Sequence, residues 1–121
     1  MRYAFIIYFD PKKLFDGSEE ANACHADQQV YGAELKASGH LVGNQPLALP
    51  SEAITVKVRE GRAMTTDGPF METKELVAGF VQIEAKDLNE AVRLATGMPY
   101  ARLGHIEVRA APDYSKPRPK L

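Results

Sequence analysis

The chain has 121 residues, a formal net charge of −1 and one cysteine, which bounds it to a single modest domain. So even a charge balance argues against a general nucleic-acid binder, which would carry a basic face. One cysteine leaves neither an internal disulfide nor a cysteine-rich metal site, and a reducing cytoplasm is the expected compartment.

Met1 to Phe9 places a basic residue before an apolar run, as a signal peptide does. The run is too short and too aromatic, and Asp10-Pro11-Lys12-Lys13 stands where a small-residue cleavage site belongs. No run approaches a membrane span, so no membrane partner is expected. Tyr3 to Phe9 is instead read as a central strand, apolar on both faces and rich in aromatic and β-branched residues.

A turn-rich connection over residues 10–17 leads to a helix capped by Ser18 or Asn22, with Glu19 and Glu20 well placed for its dipole in the first case. The helix runs to about Ser38, burying Cys24, Tyr31, Leu35 and Val30 or Ala33, and Gly39 supplies the left-handed residue that ends it. His40 to Leu49 reads as a strand interrupted at Gly43-Asn44-Gln45-Pro46. Ala53 to Arg59 alternates with Ile54, Val56 and Val58 on one face, the pattern of a half-buried strand. Glu60-Gly61 is a tight turn, and Arg62 to Thr66 returns as the hairpin partner.

Between that hairpin and the next strand lies Thr66-Asp67-Gly68-Pro69-Phe70-Met71-Glu72-Thr73-Lys74-Glu75. Asp-Gly-Pro is strong turn chemistry: Asp67 can bond its own backbone, Gly68 tolerates positive φ, and Pro69 fixes φ. Phe70 is an aromatic in a polar loop, expected to plug a core or line a pocket. Leu76 to Glu84 is a second strongly apolar strand with Gly79 at a close approach. Asp87 caps a helix with Glu90 at the capping-box position, burying Leu88, Ala91, Val92 and Ala95. Gly97-Met98-Pro99 ends it. His105 to Arg109 is the last strand with Ile106 and Val108 inward, and residues 111–121 form a Pro-rich tail.

The order β-α-β-β-β-β-α-β contains the split β-α-β arrangement of a ferredoxin-like α+β sheet plus an added hairpin. Two helices cover one sheet face. The other has no cover within the chain, yet a first strand apolar on both sides cannot leave one in water. A homodimer supplies the cover most simply.

Asp67-Gly-Pro-Phe70, its Glu72-Thr-Lys-Glu75 continuation and the run Gly79-Phe-Val-Gln-Ile-Glu84 closely resemble the DGPF group of YCII-related proteins. The resemblance takes in the opening strand, Ser38-Gly39, Asp87-Leu-Asn-Glu-Ala-Val92 and Ile106-Glu-Val-Arg109, so it spans roughly residues 1–110. It implies a ferredoxin-like domain that pairs into a dimeric α+β barrel. YCII-type relatives outside the DGPF group carry a His and Asp dyad associated with the first helix. Two residues before Gly39 stands Ala37, and His25 sits well upstream, so both partners of that dyad cannot be placed.

The catalytic candidates are His25, Asp67 and Lys74. His25 lies near a helix start, where the positive dipole end favours a neutral imidazole able to act as a base, although a histidine there is commonly just exposed. Asp67 and Lys74, with Glu72 and Glu75, join carboxylates to an ammonium in one loop, the ingredients of acid/base chemistry or simply of solvated pairs. Tyr8, Phe70, Glu72 and Glu75 are candidates to line a small-molecule pocket. Arg59, Glu107 and Arg109 are strand-borne charges, the arginines offering planar forks for an anionic ligand. The three histidines show no metal spacing, and no phosphate loop or nucleophile elbow is present, so neither metal nor cofactor is expected.

Two functions stay open. One is a dimeric, cofactor-free acid/base enzyme, argued by analogy with other dimeric α+β barrels. The other is a non-catalytic ligand-binding or regulatory module. DGPF-type domains resemble proteins linked to extracytoplasmic-function sigma factors, which implies a sigma-factor-type protein partner.

Overall fold

Alternation along the first strand sets the architecture. In the computed structural model, which describes residues 1–121, strand β1 spans Arg2–Phe9. Tyr3, Phe5, Ile7 and Phe9 are buried on one side, while Ala4, Ile6 and Tyr8 are only half-buried on the other. β1 lies inside a four-stranded sheet with β2 (Leu41–Pro46), β5 (Leu76–Glu84) and β6 (Gly104–Ala110), in the order β2-β5-β1-β6. Every pairing is antiparallel. That order, with one long helix between β1 and β2 and another helix between β5 and β6, is the ferredoxin-like topology expected from the sequence.

The helices cover the side on which Tyr3, Phe5, Val81 and Ile83 are buried. Helix α2 (Glu19–Ala37) starts at Ser18, whose Oγ accepts from the Ala21 amide at 3.1 Å, with Glu19 and Glu20 in the first turn. It ends in a Schellman turn: Gly39 has φ +82°, the His40 amide donates to the Leu35 carbonyl and the Gly39 amide to Lys36. Helix α3 (Leu88–Thr96) starts at Asp87, whose carboxylate accepts from the Glu90 amide at 2.9 Å. The Glu90 carboxylate reaches back to the Lys86 amide rather than that of Asp87. The Tyr31 hydroxyl ties the helices together by donating to the Leu94 carbonyl at 2.6 Å, and burial of that phenol raises its pKa.

Packing differs from expectation at several points. The connection after β1 contains a short helix, α1 (Pro11–Leu14), capped by the buried Asp10, whose carboxylate accepts from the Lys12 amide. Val30 and Ala33 both face solvent, and α2 buries Ala21, Cys24 and Leu35. On α3 the buried set is Ala91, Leu94 and Ala95, followed by Met98, while Leu88 and Val92 are exposed. Both sets fit a helical period; the sheet selects the phase ending in Met98. β2 stops at Pro46, and a 3₁₀ turn over Pro50–Glu52 follows. Gly79 is where the backbones of β5 and β2 nearly touch, since a Cβ there would lie 2.6 Å from the Gln45 carbonyl oxygen.

Strands β3 (Ile54–Arg59) and β4 (Arg62–Asp67) form their own two-stranded ribbon, separate from the main sheet. Glu60 and Gly61 both have positive φ, 52° and 74°, which matches the twist of a two-residue hairpin turn. The half-burial expected for β3 is not found: Ile54, Val56 and Val58 are 65%, 62% and 57% exposed. Their alternation reflects a two-faced ribbon whose apolar side has no cover within the chain.

Candidate functional site

The uncovered face of the sheet carries the polar chemistry. Antiparallel register puts Tyr8 opposite His105 on one side and Val77 on the other, Ile6 between Glu107 and Phe80, and Ala4 between Arg109 and Gln82. His105, Glu107 and Arg109 point to this face because Ile106 and Val108, alternating with them, pack toward the core.

Tyr8 donates its hydroxyl proton to Glu107 Oε1 at 2.9 Å. That bond to the carboxylate, with some desolvation and the Glu107 charge, holds the phenol pKa above its usual value, while the Arg109 guanidinium acts weakly in the opposite sense. Arg109 Nε lies 3.9 Å from Glu107 Oε2. One step along the face, His105 Nδ1 meets Glu75 Oε2 at 2.5 Å, an ion pair when the imidazole is protonated. Glu75 precedes the first residue of β5, and the Thr73 hydroxyl donates to its carbonyl.

Beside these pairs, where the ribbon leaves the sheet, lies a cavity of about 930 Å³. Tyr8, Glu75 and Val77 form its sheet wall, and Gly68, Pro69 and Glu72 its loop wall. The loop is held by backbone: the Gly68 amide donates to the Ala53 carbonyl at 2.7 Å, and the Thr55 hydroxyl donates to the Gly68 carbonyl at 2.8 Å. Gly68 has φ +100°, the left-handed conformation read from the sequence. The capping bond expected of the Asp67 carboxylate does not form.

The candidate residues fall into four groups. Tyr8, Glu72 and Glu75 line the cavity, and Arg109 stands two strand positions beyond Glu107 on the same face. Asp67 and Lys74 are exposed and make no side-chain hydrogen bond or ion pair, and Phe70 is 85% exposed, plugging neither core nor cavity within this chain. Arg59 sits at the ribbon tip, paired with Arg62, where its guanidinium donates to the Val58 carbonyl. His25 lies apart, on α2. Nδ1 is 2.9 Å from the Tyr100 hydroxyl and Nε2 is 2.8 Å from the Leu14 carbonyl, which can only accept and so places a proton on Nε2. The ring also stacks on Phe15 at 5.6 Å.

Sequence alone does not single out His105, and it offers Glu107 only as a ligand anchor. The parity of the last strand carries the signal, because inward Ile106 and Val108 place both on Tyr8's side once the strands are adjacent. No group of three or more His, Cys, Asp or Glu side chains is arranged to hold a metal ion.

Over residues 1–113 the chain matches the model of the YCII-related domain. The chain belongs to the YCII-related family. An uncharacterised protein of Rhizobium meliloti (strain 1021) is similar to it, 31% identical over 112 residues, or 90% of each chain. Among solved structures, 5-chloro-2-hydroxyhydroquinone dehydrochlorinase (TftG) from Burkholderia phenoliruptrix AC1100, in complex with 2,5-dihydroxybenzoquinone, is similar to this YCII-related chain. The likeness has a TM-score of 0.55 at 16% identity and covers 93% of this chain and 94% of that one. It concerns the fold, which is that of the dimeric α+β barrel.

Proposed function

We propose that this YCII-related protein pairs over the uncovered sheet face and binds a small oxygen-bearing molecule in the cavity beside Tyr8. Acid/base chemistry there needs no cofactor. Glu75 and His105 act as the proton-accepting pair, and the Tyr8 hydroxyl, which gives its one proton to Glu107 in the free protein, turns that proton to a ligand oxygen on binding. The observation that carries this reading is the convergence of two hydrogen-bonded titratable pairs at the edge of one cavity. A histidine held by a carboxylate through one ring nitrogen presents the other to a ligand for proton transfer.

Asp67 and Lys74 take a different part, as exposed charges at the mouth that meet an incoming ligand. His25 has both ring nitrogens engaged in packing and is assigned to stability. The Asp67-Gly-Pro-Phe70 loop supports placing the protein in the DGPF group, and the buried free thiol of Cys24 suits a reducing cytoplasm.

The test is to incubate the protein with hydroxylated quinones, phenols and 2-oxo acids, and to follow their consumption in the wild type, Tyr8→Phe and Glu75→Gln. Turnover that falls about a hundredfold or more in both variants is expected, the range of a lost acid/base group. Binding sensitive to these substitutions with no turnover of any compound would instead indicate a non-catalytic module, including one serving a sigma-factor-type partner. Fold analogy with a dehydrochlorinase motivates only the first choice of compounds.

A further inference from the structure

The ribbon of β3 and β4 is built as two different surfaces. Register puts Ile54, Val56 and Val58 on one face with Ala63, Thr65 and, at the root of the ribbon, Asp67, and puts Lys57, Arg59 and Arg62 on the other with Met64, Thr55 and Thr66. Both faces are bare along almost the whole length. A lone two-stranded ribbon is marginal in water, and β-branched aliphatics on one side with cations on the other suit an arm whose aliphatic side lies on another surface.

We infer that this arm reaches onto a second copy of the chain, its aliphatic face packed against the partner and its basic face left in solvent. The inference rests on the pairing proposed above and names the element that completes it.

Two features select a second copy as the occupant. The first is reciprocity. The uncovered sheet face, where Ile6, Phe80 and Val77 form an apolar strip beside the charged side chains of β6, is the other unpartnered surface, and two-fold pairing lets each arm extend the cover of the other copy's sheet. The second is area. Four strands at about 4.8 Å spacing and some six residues at about 3.3 Å give a face of only ~400 Å². A stable interface covers ~800 Å² per partner, so the sheet face alone falls short; an arm of two six-residue strands buries ~200 Å² of its own face and about as much on the copy that receives it, which brings each copy of a two-fold pair to about that size.

The test is sedimentation equilibrium of the full chain over a concentration series, comparing the wild type with the double variant Val56→Lys/Val58→Lys. Both positions are exposed, so the monomer fold is retained, and circular dichroism checks it. The expected result is a dimer in the wild type and a dissociation constant raised about tenfold or more in the variant. Hydrogen exchange of wild-type amides 54–58 and 62–66 gives a second measurement that needs no variant. These amides should exchange slowly in the dimer and faster on dilution through its dissociation range. A dimer unaffected by the lysines, with arm amides exchanging equally fast at all concentrations, would overturn the inference and leave the pairing intact. A wild type monomeric at every concentration would overturn both.

Discussion

Glu75 and His105 are thirty residues apart in sequence and 2.5 Å apart in space, joined across the end of the sheet where β1 brings β5 and β6 to either side of Tyr8. Neither local propensity nor spacing relates them. Their meeting follows from sheet order. The pair is largely exposed on the histidine side, so it contributes little to stability, under ~1 kcal/mol for such surface pairs. Glu75→Gln should therefore leave the denaturation midpoint almost unchanged while weakening ligand binding in the cavity. A thermal melt and a binding titration on the same sample separate the two.

The Tyr8 phenol provides a pH signature. Its pKa is raised above the ordinary value of 10.0, first by the hydrogen bond to Glu107, so the native state favours the protonated phenol. The stabilisation linked to it is complete below that ordinary value and is lost as pH rises through the higher folded value. In Glu107→Gln the near-ultraviolet tyrosine titration should show one group ionising earlier than in the wild type. The stability gap between the two proteins should close on the alkaline side. Tyr8→Phe removes that group from both titrations.

Gly104 should be intolerant of any side chain. A Cβ there would stand 2.0 Å from the Tyr8 carbonyl oxygen and 3.0 Å from Phe9, both in the strand it pairs with. Backbone cannot yield as a flexible side chain does, so Gly104→Ala should destabilise by roughly 1–3 kcal/mol or more and displace Tyr8. Chemical denaturation measures the first effect. The tyrosine titration of the same variant reports the second.

Much of the fold was legible because its signals are local. Ser18, Asp87, Gly39 and Glu60-Gly61 act within a few residues of themselves, and each ends or turns an element as its chemistry requires. The phase of α3 was not legible, because Leu88 with Val92 and Leu94 with Met98 fit the same period and only the sheet decides between them. The site was half legible. Type and position single out Tyr8, Glu72 and Glu75, which line the cavity, whereas the place of His105 depends on long-range register. His25 stood out by its place on a helix, but its role follows from Tyr100 and Leu14, which no spacing connects to it.

His25 should accordingly behave as a packing residue. It bridges α1, α2 and the 3₁₀ turn over Pro99–Arg102, so His25→Ala leaves the Leu14 carbonyl and the Tyr100 hydroxyl without their partner. Both bonds are part-buried, so a loss of ~1–2 kcal/mol of stability is expected. Urea denaturation measures it, and ligand affinity corrected for the folded fraction should not change.

Thermal denaturation against a panel of small oxygen-bearing metabolites, run on the wild type, Tyr8→Phe, Glu75→Gln and His25→Ala, tests the location of the site most directly. A ligand at about a hundred times its dissociation constant stabilises the fold by roughly 2.7 kcal/mol, a readily measured shift. The expected result is a compound whose shift disappears in Tyr8→Phe and Glu75→Gln and persists in His25→Ala. A shift that persists in the first two and disappears in the third would contradict the account and move the site to the helix-covered side of the sheet.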